Sequence, residues 1–294
     1  MQFIGDVFGA VYLYLDSMTF LFLSAVGLII ILGMMGITNL AHGEFMMLGA
    51  YSAVLATRAG LPFPISVLFA TLVVGVFGMV LERLVIRRFY GNLLQSLVAT
   101  WGVSLLISQG MLVAMGPSLQ TIPMPLGGIT VGGKAYAAYR LLLAFIAIGV
   151  LIVMWYVFNR TKFGMRARGA MQNAEIAETM GINTSRMYLL TFGIGSALAG
   201  FAGALYAPTT VLAPLYGASF LAPAFVTVVV SGGANVIQGA LITSVFLGLI
   251  EGTSSRLYGT FVGRIALLVA TMLILRVLPT GISGYLEAKG ERSR

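Results

Sequence analysis

The residues able to do chemistry are few and lie close together. The only histidine of the 294-residue chain, His42, stands beside Glu44 and Asn39 inside Gly36-Ile-Thr-Asn-Leu-Ala-His-Gly-Glu-Phe-Met-Met-Leu-Gly-Ala-Tyr51. An imidazole two residues from a carboxylate suits metal ligation, a proton or ion relay, or the polar lining of a passage. His42-x-Glu44 alone supplies too few ligands for zinc, and with no cysteine there is no thiolate to complete the set. The same lack removes disulfides and cysteine nucleophiles. An embedded enzyme would need a nucleophile with its base, or a metal cluster, and neither assembles from these residues.

Apolar runs flank this stretch on both sides. A charge near hydrocarbon is costly and usually faces a bundle interior or a watery cavity. Gly36, Gly43 and Gly49 let backbones approach closely and let a helix break at depth. Two readings stand: a broken or tightly turned helix pair beside a solute pathway, or a polar hairpin tip at the membrane surface. A second glycine-rich break, Ser231-Gly-Gly-Ala-Asn235, contains Gly232, Gly233 and Asn235. The two breaks suggest an internal repeat of the kind transporters use, although no clear sequence identity links the halves.

A third polar group lies between two apolar runs. Asn173-Ala-Glu-Ile-Ala-Glu-Thr-Met-Gly181 predicts a short helix outside the membrane, with Asn173 as N-cap, Glu175 favourable in the first turn and Gly181 as the stop. Asn183 or Thr184 can cap the next helix. Arg160, Lys162, Arg166 and Arg168 sit at the lipid boundary, where they fix orientation and meet anionic headgroups. A short capped helix held between two spans suits the transmission of force from a soluble partner. A plain basic loop is the competing reading.

The elements that must position these residues follow from composition. At 59% hydrophobic and 9% charged, the chain cannot hide its apolar surface as a soluble domain. Runs of about 20 apolar residues predict one polytopic all-α helical bundle over residues 1–294, not a barrel. Candidate spans cover 18–36, 41–58, 63–82, 95–115, 139–158, 187–207, the short pair 218–231 with 236–250, and 261–278, about eight transmembrane helices with some broken or re-entrant. The net charge of +8 follows the positive-inside bias and does not point to nucleic acid. With 159–186 in the cytoplasm, twelve of the 17 Lys and Arg fall on that side, and the C-terminus with them. The N-terminus lies outside if 18–36 and 41–58 both cross, and inside if they form one broken helix or if 2–16 also insert. Met1–Asp16 lacks the basic region and cleavage pattern of a signal peptide. The longest outer segment, 116–139, carries Pro117, Pro123, Pro125 and two Gly-Gly pairs, which is turn chemistry and not a helix. Gly195, Ala199, Gly200, Gly203 and Ala204 give small-xxx-small spacing for close packing on the sixth span.

The 36–51 stretch resembles the pattern G-x-x-N-x-A-H-G-E-x-x-x-x-G-A-Y of the branched-chain amino acid ABC importer permeases of the LivH/LivM type. Phe163-Gly-Met-Arg-Ala-Arg-Gly-Ala-Met-Gln-Asn-Ala-Glu-Ile-Ala-Glu-Thr-Met-Gly-Ile182 is similar to the cytoplasmic signature of that family. Leu190-Thr-Phe-Gly-Ile-Gly-Ser-Ala-Leu-Ala-Gly-Phe-Ala-Gly203 resembles its next span, and Gly232-Gly-Ala-Asn-Val-Ile-Gln-Gly-Ala240 its glycine-rich turn. Two departures stand out: Gly169 interrupts the usual R-A after Arg168, and Ala234 replaces a common glycine. Length fits the LivH-like member better than the longer LivM-like one.

The resemblance implies a permease subunit of the bacterial cytoplasmic (inner) membrane, paired with a second, LivM-like permease, two ATPase subunits and a solute-binding protein. It implies no cofactor on this chain, with ATP and Mg held by the ATPases. The chain has no G-x-x-x-x-G-K-[ST] phosphate loop, in keeping with a transport subunit that is not an enzyme. On this basis residues 165–186, with Arg166, Arg168, Asn173, Glu175, Glu178, Gly181 and Ile182, couple to the ATPase. Asn39, His42, Gly43, Glu44, Gly232, Gly233 and Asn235 lie at helix breaks near the translocation path. Branched-chain amino acids are the expected solutes; urea and short amides, carried within the same family, are the alternative. A secondary transporter or channel using His42 and Glu44 as ion groups is the rival class, and it calls for more intramembrane carboxylates than Glu44.

Overall fold

The computed structural model describes residues 2–117, 121–232 and 236–285. The described residues form eleven α-helices and one β-hairpin: α1 (Gln2–Met35), α2 (His42–Arg58), α3 (Phe63–Leu84), α4 (Leu93–Met115), β1 (Gly128–Val131), β2 (Lys134–Ala137), α5 (Ala138–Arg160), α6 (Lys162–Gln172), α7 (Ala174–Thr179), α8 (Thr184–Tyr206), α9 (Gly217–Ser231), α10 (Val236–Tyr258) and α11 (Thr260–Val277). This is the expected all-α membrane bundle. Six helical stretches among the described residues, built on α1, α3, α4, α5, α8 and α11, are long and apolar enough to cross a bilayer. The expected spans at α2 and α9 are helical but only 17 and 15 residues long, the first at and the second below the lower limit for crossing.

The first helix departs from the expected span 18–36. It starts at Gln2 and runs for 34 residues, about 50 Å at the α-helical rise and longer than the roughly 30 Å hydrocarbon core. Its two acidic residues do not interrupt it because each has a cationic partner, Lys134 for Asp6 at 2.7 Å and Arg140 for Asp16. The 116–139 segment also holds more order than turn chemistry alone predicts. Gly132 and Gly133, at φ 59° and 80°, make the two-residue connection that joins β1 and β2 with Val131 opposite Lys134. Strands this short, set among Gly and Pro, leave no periodic signal. Tyr136 on β2 packs against Phe8 and Tyr12 of α1, with ring centroids 5.0 Å away in each case.

The chain divides into two compact units. One contains Met1–Leu23, Met124–Ile152 and Ala224–Arg294; its core joins Leu21, Val226, Val230, Leu247 and Leu267, with α10 packed along α11. The other contains Ser24–Pro123 and Val153–Pro223, and is built on α2, α3 and α8. Here the small residues of α8 have their use. A side chain on Gly203 would collide with the backbone of Met46 on α2, one on Gly49 with Gly200, and one on Gly78 of α3 with Ser196. The small-xxx-small face is therefore consumed by packing inside the chain, which replaces hydrophobic driving force with close van der Waals contact. The outward faces of α3, α4 and α5 carry exposed apolar side chains such as Leu68, Leu72, Leu106, Val113 and Phe145, as lipid contact requires.

Candidate translocation-path and coupling residues

The polar stretch is a helix break, as its glycines suggest. α1 ends at Met35, Gly36 turns the chain at φ 63°, and α2 begins at His42. Asn39 is fully buried and organises the turn: its Oδ1 accepts from the Ala41 backbone N–H at 3.0 Å, and its carbonyl accepts from the His42 N–H at 3.3 Å. An asparagine folding back onto the residue two ahead is the Asx turn, a side-chain substitute for lost helical bonding. Thr100 of α4 secures the loop. Its Oγ1 accepts from the Leu40 N–H at 3.1 Å and donates to the Thr38 carbonyl at 3.3 Å.

His42 is fully buried, with Nε2 2.8 Å from the Ser24 carbonyl. A carbonyl can only accept, so the proton lies on Nε2 and Nδ1 is left as an acceptor with no partner in the structure. The ring thus staples the start of α2 to the middle of α1. It sits by Gly27, where an added Cβ would come within 3.2 Å of His42 Cε1. Gly43 is needed for contact, since a side chain there would strike the carbonyl of Gly217 at the start of α9.

Glu44 is 5% exposed. Its Oε1 lies 3.5 Å from Ser108 Oγ on α4, at the limit of a hydrogen bond, and Oε2 meets no partner. Ser108 belongs to a pattern absent from the motifs above: Ser96, Thr100, Ser104 and Ser108 recur at every fourth residue of α4, and all four are buried. That spacing places them along one helix face. The hydroxyl stripe faces the Asn39–Glu44 turn. Its signal was available in the sequence as four hydroxyls in helical register inside an apolar run.

Gly232 belongs to the other unit. At φ 52° it ends α9, and a side chain on it would collide with the Thr280 carbonyl and with Gly281. Gly233 and Asn235, the remaining members of that expected break, lie outside the described residues.

The segment 165–186 forms two helices where one was expected. Thr161 caps α6, accepting from the Gly164 N–H at 3.3 Å, and the basic residues Lys162, Arg166 and Arg168 lie on this helix. Arg166 and Arg168 are exposed, with the Arg168 guanidinium donating to the Phe158 carbonyl. α7 matches its prediction closely. Asn173 Oδ1 accepts from the Ile176 N–H at 3.0 Å, Glu175 lies in the first turn, and Gly181 stands beyond the end at φ 82°. The Gly181 N–H donates to the Glu178 carbonyl at 2.9 Å and the Ile182 N–H to the Ala177 carbonyl at 3.0 Å. Those two bonds are the Schellman motif, with Gly181 in its left-handed position. The Ile182 side chain reaches back over Gly169 of α6. Asn183 caps α8, accepting from the Arg186 N–H at 2.9 Å, while Thr184 donates to the Glu178 carboxylate. Arg87, in the short turn between α3 and α4, donates to Ser185 at 2.9 Å.

The sequence of this chain has relatives among known proteins. Residues 10–278 match the family model described as branched-chain amino acid transport system / permease component. The chain belongs to this family. It is 29% identical over 286 residues to the high-affinity branched-chain amino acid transport system permease protein BraD of Pseudomonas aeruginosa, covering 91% of this chain and 92% of that one. It is likewise 29% identical to LivH of Escherichia coli over 284 residues, with the same coverage. The nucleoside ABC transporter permease protein NupC of Lactococcus lactis is 30% identical over 234 residues, 73% of this chain and 72% of its own. The solved structure of PsaBC from Streptococcus pneumoniae in complex with Fab overlaps 94% of both chains at TM-score 0.49 and 11% identity, which adds nothing to the assignment. The permease family spans the solute classes of amino acids and nucleosides, so membership alone does not name the solute.

Proposed function

We propose that this chain is the transmembrane subunit of an ATP-driven importer that carries branched-chain or other hydrophobic amino acids across the bacterial inner membrane. A second permease, two ATPase subunits holding ATP and Mg, and a solute-binding protein complete the machine. The observation that carries this reading is the family match over residues 10–278, joined to relatives over nine-tenths of the chain named for branched-chain amino acid transport.

The α6–α7 segment supports the coupling role. Ile176 on α7 and Met180 at its C-cap are 58% and 76% exposed, on a helix too polar to belong in lipid. Apolar side chains in that setting are suited to a protein partner, and the caps at Asn173 and Gly181 make the helix move with α6 and α8 as one body. The C-terminus and this segment lie in the cytoplasm on this reading. Residues 36–44 and the break at Gly232 line or hinge the path.

A nucleoside solute is the second reading, favoured by the similarity to NupC and to the guanosine ABC transporter permease protein NupQ of Bacillus subtilis, 26% identical over 278 residues. Urea and short amides find no support among these relatives. A proton- or ion-driven carrier fits poorly, because the Nε2–H of His42 is committed to the Ser24 carbonyl. Reconstitution with the partner subunits and binding protein tests the proposal: leucine uptake that requires ATP is expected, and uptake driven by a proton or sodium gradient without the ATPases would overturn it.

A further inference from the structure

The seam between α2 and α4 holds a binding group that the packing does not use. Glu44 is a carboxylate at 5% exposure whose Oε2 has no close partner, while the Ser104 and Ser108 hydroxyls lie against the group, Ser108 Oγ at a marginal 3.5 Å from Oε1. The ion pairs of the described residues, Lys134 with Asp6 and Arg140 with Asp16, belong to the other unit. A buried carboxylate with one oxygen unsatisfied is a costly thing to keep in an apolar bundle, and a cation arriving at it would recover most of that cost.

The surroundings fit a small polar head. Across the seam stand the buried hydroxyls Ser104 and Ser108, and behind Glu44 lies Gly217, whose missing side chain leaves room for the carboxylate at 3.0 Å from where a Cβ would be. Ser108 donates to the Ser104 carbonyl at 2.7 Å, so its oxygen keeps lone pairs able to accept. Hydroxyls accept as well as donate, so they add acceptors for a group with several N–H bonds. α4 carries no basic residue anywhere along its length. A site of one carboxylate and neutral hydroxyls favours a donor-rich cation over an anion.

We infer that Glu44, with Ser104 and Ser108, forms a subsite that receives the primary ammonium of the transported amino acid as it passes between α2 and α4. This rests on the amino acid reading above. An amino acid's ammonium offers three N–H donors to match Oε2, Oε1 and a serine oxygen, whereas a nucleoside brings no ammonium to this point.

The test uses the assembled transporter with its binding protein in proteoliposomes, assayed for leucine uptake. Wild type, Glu44→Gln, Glu44→Asp and Ser108→Ala are compared, with the amount of assembled complex measured by size exclusion. Loss of a charge-assisted bond predicts about a 10- to 100-fold fall in leucine uptake for Glu44→Gln, a fall for Ser108→Ala of about 3-fold, and substantial retention for Glu44→Asp. Uptake by Glu44→Gln equal to wild type overturns the subsite. So does an equal loss in the Gln and Asp variants, because packing and not charge would then be at stake. If Glu44→Gln fails to assemble, Ser108→Ala decides, and unchanged uptake in it counts against the subsite. Wild-type transport of a nucleoside in place of leucine would instead show that the amino acid reading has failed, and the ammonium subsite falls with it.

Discussion

His42 donates from Nε2 to the backbone carbonyl of Ser24 at 2.8 Å, joining the first turn of α2 to the interior of α1 across a broken connection. The only histidine of the chain is thus a structural clamp on the turn that presents Glu44, two residues on. Replacing it by Ala removes both the bond and the buried ring. We expect a loss of about 2–4 kcal/mol in stability, seen as a fall in the melting temperature of the detergent-solubilised permease. His42→Gln, which keeps a donor, should recover part of that loss; a melting temperature unchanged in His42→Ala contradicts the clamp.

The small-residue contacts of α8 predict a sharp positional contrast. Gly203→Ala places a methyl on the Met46 backbone, where nothing flexible can yield, and overpacking of that kind costs about 1–3 kcal/mol or more. Gly149→Ala on α5 meets nothing within 4 Å. Membrane-inserted protein should drop for the first and hold for the second, read by fluorescence-detected size exclusion of tagged protein. Equal yields would mean that α2 and α8 do not approach as closely as described.

The proposed coupling role depends on the ends of α7. Asn173→Ala removes a cap worth about 0.5–2 kcal/mol, and Gly181→Val forces a branched residue into φ 82°. Both, together with Glu178→Ala, which frees Thr184, should leave assembly intact while lowering solute moved per ATP hydrolysed. Parallel assays of uptake and phosphate release on one reconstituted sample measure that ratio. A ratio equal to wild type in all three removes the docking role.

Tyr90 lies outside the spans, and burial, followed by its bond to the Glu82 carboxylate, pushes its phenol well above the ordinary value of 10.0. The unfolded chain therefore releases this proton before the folded one does, so the folded state binds the extra proton above pH 10 and stability falls as pH rises through that region. Below pH 10 both states hold the proton and no change is expected. A thermal unfolding series from about pH 8 to about pH 11 should show the decline in wild type and a shallower one in Tyr90→Phe, set on a lower plateau because Glu82 loses a donor. Identical slopes would contradict the upward shift of the Tyr90 phenol.

Much of this was legible in the sequence because local chemistry decided it. Asn173 and Gly181 bound α7 where cap preference and left-handed geometry require, and Gly36 breaks the chain where a glycine permits it. What escaped notice depends on contacts distant in sequence. The expected span begins only at residue 18, yet Lys134 and Arg140 pair with Asp6 and Asp16, and α1 runs on through both. Ser96, Thr100, Ser104 and Ser108 read singly as tolerated hydroxyls in an apolar helix; their meaning appears only when Glu44 is placed across from them. His42 looked like a titrating group, and nothing local could reveal that Ser24, eighteen residues back, would take its proton donor.

The account depends above all on α7 being the part of the chain that a cytoplasmic ATPase grips. Because the chain has no cysteine, a single Glu175→Cys variant offers one thiol with no background. Incubated with a bifunctional thiol reagent in the assembled transporter, it should cross-link to the ATPase subunit, and in intact cells it should resist a membrane-impermeant maleimide. Labelling from outside the cell, or a cross-link to the solute-binding protein, would contradict the account.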